Sequence, residues 1–374
     1  MNRVLPANEG RKMNSIKQIE VIYNNRLVGR LALTREGLCA FEYSAEWLSS
    51  GFSISPFELP LRSGVFIAKP RPFEGGFGVF DDCLPDGWGL LILDRYLQQK
   101  GINPRTLTLL DRLALVGSTG RGALEFRPDN SVVTRQDFAD FEKLALEAEK
   151  ILASDDYMGE GIEEFQDRGG SPGGARPKIF VRYDNKEWLV KFRAKRDPHN
   201  IGIDEYSYSL LAKQCGIEMP ETKLFEDKYF GVERFDRTPN GKLHVVSMAG
   251  LIGADYRLPS IDYTHIFQVC SMLTHSVAEL WKVYRLMVFN YLIGNKDDHA
   301  KNFAFIYRKG DWHFAPAYDL LPSDGINGFR TTSINDKIEP TKEDLFAVAV
   351  KAGLNEKEIS SDFEKIRNFI VYKY

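Results

Sequence analysis

The sequence predicts an α+β protein built as two lobes, with a further α/β subdomain in front of them. Three observations lead there. The chain has 374 residues, more than one hydrophobic core usually organises. Its first third mixes strand-like and helical runs, and after a polar, glycine-rich stretch the pattern restarts with short strands around hairpin turns. The last part is mainly helical and carries "IGNKDDHAKNFAF", a crowd of charged and amide side chains between apolar runs.

Taken in order, "QIEVIY" and "RLVGRLAL" alternate around "NNR" and predict a hairpin. In "FDDCLPDGWGLLILDRYLQQKG", Pro85-Asp86 opens a helix with the apolar stripe Trp88, Leu91, Leu93 and Tyr96, and Gly101 stops it. "TLTLLDRLALVG" is a second helix with a glycine stop. Residues 16–128 are expected as the first domain and 129–374 as the second, with lobes at 129–237 and 238–374. "RQDFADFEKLALEAEKIL" reads as an amphipathic helix through Phe138, Phe141, Leu144 and Leu146. The polar, glycine-rich run at 153–178 reads as a loop. Beyond it, "KIFVRY" and "EWLVKFR" flank "DNK" as a hairpin, "DEYSYSLLAKQCGI" is a helix, and "ETKLFEDKYFGVERFDR" is a strand pair. A helical block follows, and "FAFIYRKGDWHFAPAYD" is a hairpin around Lys309-Gly310.

Composition excludes several classes. A net charge of -3 argues against a strongly basic nucleic-acid binder. The four cysteines, Cys39, Cys83, Cys215 and Cys270, are scattered with no C-x-x-C pair, which predicts reduced thiols rather than a disulfide scaffold or a zinc site. The first fifteen residues lack the apolar run of a signal peptide. The longest apolar stretch, "LWKVYRLMVFNYLIG", is broken by Lys282 and Arg285 and is too short to span a bilayer. The expectation is a soluble, cytoplasmic protein that is not inserted in a membrane.

The second half sets out, in order, a glycine-rich loop, a lysine on the second of two strands, a helix with an early acid, a strand ending in "VERF", a helical block, a polar loop and a hairpin ending at an aspartate. That is the order of parts in a protein-kinase-like phosphotransferase, where catalysis is positioning plus charge neutralisation. Asp297 precedes Asn302 by five positions, as the base precedes the metal-binding asparagine in H-R-D-x-x-x-x-N. Asp319 follows 17 positions after Asn302, and two hard oxygen donors suit Mg²⁺. Taken singly, Asp297 and Asp298 could equally be solvated loop acids. Lys191, inside "WLVKF", either points outward as a surface lysine or inward, where Asp204 or Glu205 of the next helix would hold it against nucleotide phosphates. "GGSPGGARPK" offers backbone N–H groups to phosphates, although such stretches also serve as plain linkers. "GSTGRGA" (117–123) reads as a structural turn. His299 has no triad partner and is expected to order its loop rather than bind metal with His313.

These segments together resemble the HipA-like serine/threonine kinases, the toxin halves of bacterial toxin–antitoxin pairs. The resemblance runs from about Ile16 to Leu354 through "LPDGWG", "LVGSTGRGAL", "SPGGARPK", "VERFDR", "IGNKDDHAKNF", "YDLLPS", "SIN" and "KEDLFAVA". It implies a bilobal protein-kinase-like fold and a site for ATP and Mg²⁺. Asp297 would be the catalytic base, with Asn302 and Asp319 as the metal ligands. Gly173, Gly174, Ala175, Arg176, Pro177 and Lys178 would form the phosphate loop, and Lys191 would contact the phosphates. The backbone of Glu233, Arg234 and Phe235 would line the adenine site. His299, Ala300, Lys301, Tyr318 and Asp319 would complete the nucleotide site, His299 and Lys301 facing the phosphates. Ser171 would be an inhibitory autophosphorylation site. The partners implied are a small helix-turn-helix antitoxin of the HipB type, operator DNA through that antitoxin, and a protein substrate such as an aminoacyl-tRNA synthetase. The alternative is a nucleotide-binding corepressor without turnover. The 55 residues after Asp319 make a shorter tail than full-length toxins carry, and the segment before Ile16 is expected to be disordered.

Overall fold

A computed structural model describes residues 15–132, 139–169 and 174–371. Phe138, Ser171 and Gly173 lie outside the described residues.

The N-terminal part is built on an antiparallel sheet. β1 (Gln18–Tyr23) and β2 (Arg26–Leu33) form the expected hairpin. Asn24 and Asn25 both take positive φ, 47° and 60°, the conformation of a two-residue turn matched to strand twist. β3 (Cys39–Tyr43) follows, then α1 (Ala45–Ser50), β4 (Val65–Ile67), α2 (Gly78–Asp81), α3 (Gly87–Gln99), α4 (Leu109–Val116) and β5 (Leu124–Arg127). The strand order is β4-β3-β2-β1-β5. α4 is fixed by a capping box between Thr108 and Asp111 and stops at Gly117, φ 52°, as the glycine signal suggested.

The first lobe carries α5 (Phe141–Ala153) and α6 (Gly161–Gly169), then β6 (Lys178–Tyr183), β7 (Lys186–Lys191), α7 (Ile201–Gln214), β8 (Thr222–Phe225) and β9 (Tyr229–Glu233). Its four-stranded sheet has the order β6-β7-β9-β8, with α7 packed against β8 and β9. The second lobe begins with β10 (Arg237–Thr238), β11 (Gly241–Lys242) and β12 (His244–Ser247), followed by α8 (Met248–Ile252), β13 (Ile261–Asp262), α9 (Tyr263–Thr274) and α10 (Val277–Leu292). β14 (Ala304–Arg308) and β15 (Asp311–Phe314) are the expected hairpin around Lys309-Gly310, and β14 also pairs with β12. β16 (Thr332–Ser333), α11 (Lys342–Lys351) and α12 (Glu356–Val371) close the chain.

Two hydrophobic cores hold these parts together, and the N-terminal part enters both. Val21, Leu31, Phe41, Phe80 and Phe126 share one core with Tyr263, Phe289 and Ile359 of the second lobe. Trp88 and Ile92 of α3 share the other with Phe141, Phe165, Trp188 and Val190 of the first lobe.

Three local expectations are corrected. The run at 153–178 is not all loop, because Ile162 and Phe165, three positions apart, bury one face of α6. On α3 the buried positions are Trp88, Gly89, Ile92, Leu93, Arg95 and Leu97, whereas Leu91 and Tyr96 are only half-buried. Arg95 is admitted because its guanidinium donates to the Ile151 carbonyl at 2.8 Å. On α5 the buried stripe is Phe141, Leu144, Ala148 and Ile151, and Leu146 is exposed.

Asp82 ties the N-terminal part to the second lobe. Its buried carboxylate accepts from the Ser247 backbone N–H at 2.6 Å and from the Ser247 hydroxyl at 2.7 Å. Asp82→Ala leaves both donors buried and unsatisfied. We expect a loss of roughly 2–4 kcal/mol in chemical denaturation, and an unchanged midpoint and slope would contradict this account.

Candidate active site

The cleft between the lobes is organised by one buried ammonium. Lys191, the last residue of β7, is 8% exposed, so of the two orientations left open by the sequence it takes the inward one. Its Nζ donates to both Glu205 on α7 and Asp319 beyond the β14–β15 hairpin. Glu205 is the helix acid that pairs; Asp204 instead accepts from the Asn200 side chain at 2.9 Å on the exposed face. Burial pulls the Lys191 pKa down, but the charges of Asp319 and Glu205 outweigh it and the net displacement is upward. For Asp319 burial pushes upward, and Lys191, then Lys178, hold it well below the usual carboxylate range. Asp319 adopts a left-handed backbone, φ 55°, a conformation that aspartate tolerates better than most residues.

Arg176 and Lys178 bring two more cations to the same corner. The Arg176 guanidinium is held by Asp197 at 2.9 Å and Glu205 at 3.5 Å. Lys178, at the start of β6, is buried, and burial together with the Lys191 charge pushes its pKa down to about 8. The Pro177 carbonyl accepts from the Phe192 N–H at 2.8 Å, which locks the end of the glycine-rich loop to the sheet. The Gly174 N–H donates to Asp86 in the N-terminal part, and Ala175 lies beside Gly87.

Asp297 is exposed at the mouth of the cleft. Desolvation by the cleft wall, then the Asp319 charge, raises its pKa, with His299 opposing. Its backbone N–H donates to Ser323 Oγ at 2.8 Å. The Asn302 side-chain amide donates to the Asp297 carbonyl at 2.9 Å, so its nitrogen is spent within the loop and its oxygen is the atom left for a ligand. Ala300, Lys301 and Asn302 form a short 3-10 turn, Ala300 buried, with His299 Nδ1 accepting from the Lys301 N–H at 3.2 Å. His299 thus orders the loop, as expected. The Lys301 ammonium sits 3.1 Å from Asp81 and 3.0 Å from Asp86 and over the Tyr256 ring at 4.0 Å. The resemblance places Lys301 toward the phosphates; in the structure two N-terminal carboxylates, Asp81 and Asp86, hold its ammonium.

At the junction of the lobes, Glu233 pairs with Lys186 at 2.9 Å. Arg234 turns its buried side chain onto Asp236 at 2.8 Å and over the Phe180 ring at 4.2 Å. Phe235 stacks with Tyr318 at 6.2 Å and joins a small apolar cluster with Val245, Ala304, Ile306 and Ala315. Tyr318 itself donates to the Lys301 carbonyl at 2.6 Å.

Sequence reasoning missed three groups. "GSTGRGA" is more than a turn: the Gly120 carbonyl accepts from Arg234 and Arg237, and the Gly122 N–H donates to Asp236 at 2.8 Å. Arg121 donates to the Tyr318 hydroxyl at 2.8 Å. No local pattern signals such long-range docking. Asp298 was paired with Asp297 as a loop acid, yet it is buried, accepting from the Tyr263 hydroxyl at 2.9 Å beside Arg330 at 3.5 Å. Arg330 also donates to the Asn290 and Asn295 carbonyls, at 3.2 and 2.9 Å, and so fastens the loop to α10.

The fold defines a protein-kinase-like chain of two lobes with an N-terminal part docked on both. Its family follows from comparison with known sequences. The HipA N-terminal domain matches residues 19–127 and the HipA-like C-terminal domain matches residues 170–371, and the chain belongs to the HipA family. It is 23% identical over 370 residues to the serine/threonine-protein kinase toxin HipA of Shewanella oneidensis, across 86% of this chain and 79% of that protein. It is 27% identical over 320 residues to Y4dM of Sinorhizobium fredii, a protein named as a kinase, across 79% of this chain and 75% of that one. The fold matches, with a TM-score of 0.69 and 20% identity, a chain of the Shewanella oneidensis toxin–antitoxin complex of HipA, HipB and operator DNA, covering 93% of this chain and 88% of that one. Among the described residues no helix is long and apolar enough to cross a membrane.

Burial pushes the Asp298 carboxyl up to about 7 against the pull of Arg330. A carboxyl that holds its proton more tightly when folded contributes stability at low pH and loses it as pH rises, here between about 4 and about 7. Wild type should therefore lose roughly 1–3 kcal/mol relative to Asp298→Asn between pH 5 and pH 8 in urea titrations. Parallel pH profiles for the two proteins would rule this out.

Proposed function

We propose that the protein is an ATP- and Mg²⁺-dependent serine/threonine protein kinase acting as the toxin of a toxin–antitoxin pair. The observation that carries this reading is Lys191 shared between Glu205 and Asp319, with Asp297 close enough to feel the Asp319 charge. A strand lysine held by a helix acid is the arrangement that grips nucleotide phosphates in kinases. The kinase-named relatives and membership of the HipA family support the same reading.

Asp297 serves as the base. A substrate hydroxyl attacks the γ-phosphorus of ATP, the bond from that phosphorus to the β,γ-bridging oxygen breaks, and the hydroxyl proton passes to the Asp297 carboxylate as ADP departs. A carboxylate with a raised pKa accepts that proton more readily. The donor set fits Mg²⁺: the Asp319 carboxylate and the Asn302 amide oxygen are hard ligands, and water and phosphate oxygens would complete the shell. When bound, the ion neutralises phosphate charge. Lys191, Lys178 and Arg176 orient the phosphates, with Gly173 to Pro177 as the backbone cradle. His299 and Ala300 hold the loop, and Lys301 with Tyr318 ties it to the cleft. The Glu233 to Phe235 backbone and the Phe235–Tyr318 pair receive the adenine ring. The division into an N-terminal domain at 16–128 and a kinase domain at 129–374 belongs to the same reading.

The partners follow from the family. A HipB-like helix-turn-helix antitoxin restrains the toxin and brings it to operator DNA, and the phosphorylated protein is a translation component, with an aminoacyl-tRNA synthetase as the leading example. Ser171, beside the glycine-rich loop, is the autophosphorylation site, and the setting is the cytoplasm.

Asp297→Ala should lower phosphoryl transfer about 10²–10⁴-fold while nucleotide affinity stays near that of wild type. Wild-type turnover in this variant would remove Asp297 from the base role. Asp319→Asn should instead abolish the Mg²⁺ dependence of nucleotide binding measured by calorimetry. Mass spectrometry after incubation with Mg·ATP should find phosphate on Ser171 in wild type and none in Asp297→Ala. Nucleotide binding with no transfer to Ser171 or to any protein would favour the corepressor instead.

A further inference from the structure

The motif "LPDGWG" has no part in the mechanism above, yet its central residues reach the site. Asp86 stands at the N-cap of α3, where an aspartate normally accepts from its own helix. It makes no such bond. One carboxylate oxygen accepts from the Gly174 N–H and the other from Lys301 Nζ at 3.0 Å. The Trp88 N–H, a usual partner of an N-cap side chain, donates to the Gly174 carbonyl at 2.9 Å. The Gly174 peptide is thereby held from both sides. Between the two contacts Gly87 has φ 46°, and a Cβ there would lie 2.6 Å from the Gly174 oxygen, so a glycine is required for the approach.

We propose that Asp86, with Gly87 and Trp88, is a positioning element for nucleotide binding: from one point in the N-terminal part it anchors the glycine-rich loop at Gly174, while Lys301 of the catalytic loop, which Asp81 also holds, balances its charge. This rests on the kinase reading. Glycines lose more backbone freedom on ordering than other residues, so a loop already fixed at Gly174 binds nucleotide with less left to order. The negative charge of Asp86 does not repel the phosphates strongly, because Lys301 lies against it and Lys178 is near.

The test measures steady-state kinetics and amide hydrogen exchange across 174–178 in the full chain, for wild type, Asp86→Ala, Asp86→Asn and Gly87→Ala. Asp86→Ala should raise the KM for ATP about 10-fold, leave kcat within about twofold, and increase exchange in the loop. Gly87→Ala should do the same without a change of charge. Asp86→Asn, which keeps an acceptor for Gly174, should recover part of the loss, and a merely structural defect would lower kcat and KM performance together without that recovery. Unchanged KM and loop exchange in Asp86→Ala would overturn the proposal. So would tighter ATP binding, which would make Asp86 a competitor of the phosphates. If wild type bound no nucleotide while loop exchange still depended on Asp86, the kinase reading would fail and the contact would be packing alone.

Discussion

A lysine ammonium taken out of water is stable only where carboxylates surround it, and that constraint at Lys191 sets the geometry of the whole cleft. Glu205 reaches it from a helix of one lobe and Asp319 from the far side of a hairpin in the other. Removing either acid leaves a buried charge partly uncompensated, which costs more than the pair itself contributes. The strand, the helix and the hairpin are therefore held in register by electrostatics as well as by packing. The same ion pairs place the Asp319 carboxylate beside Lys178 and Arg176, so three cations and two acids are gathered in one corner of the cleft.

Around that centre the structure spends many polar side chains on loops rather than on chemistry. Asp298, Arg330, Tyr263 and Asn290 keep the segment carrying Asp297 in place through buried hydrogen bonds, and Ser323 adds an exposed one to the Asp297 backbone. Only one of the two adjacent aspartates is exposed to the cleft. Its neighbour is turned inward to make the first one's position reproducible, which is how adjacent acids take unlike roles set by environment.

Much of the fold was legible in the sequence. The Asn24-Asn25 and Lys309-Gly310 turns, the helix that stops at Gly117 and the short strands around Asp184-Asn185 all follow from local backbone preferences. The kinase-like order of parts was legible for a related reason, since Lys191, Asp297, Asn302 and Asp319 sit at separations imposed by loop and hairpin lengths. Contacts made across the chain were not legible. Arg121 meets Tyr318 and Asp86 meets Lys301 only after folding brings distant segments together, and no periodicity encodes that. The helix at Ile162 and Phe165 was obscured by the glycines and acids around it, which outnumber its two buried apolar anchors.

The connector between the lobes has an unusual mechanical setting. In a two-lobed enzyme the cleft can open by bending at such a connector. Here Arg234, Asp236 and Arg237 are bolted to the backbone at Gly120 and Gly122 of a third body. That body shares hydrophobic core with both lobes. Bending at this point would shear several charge-assisted hydrogen bonds at once. The frame is thus stiff at this point, and access to the cleft falls to small local displacements of the loops that line it.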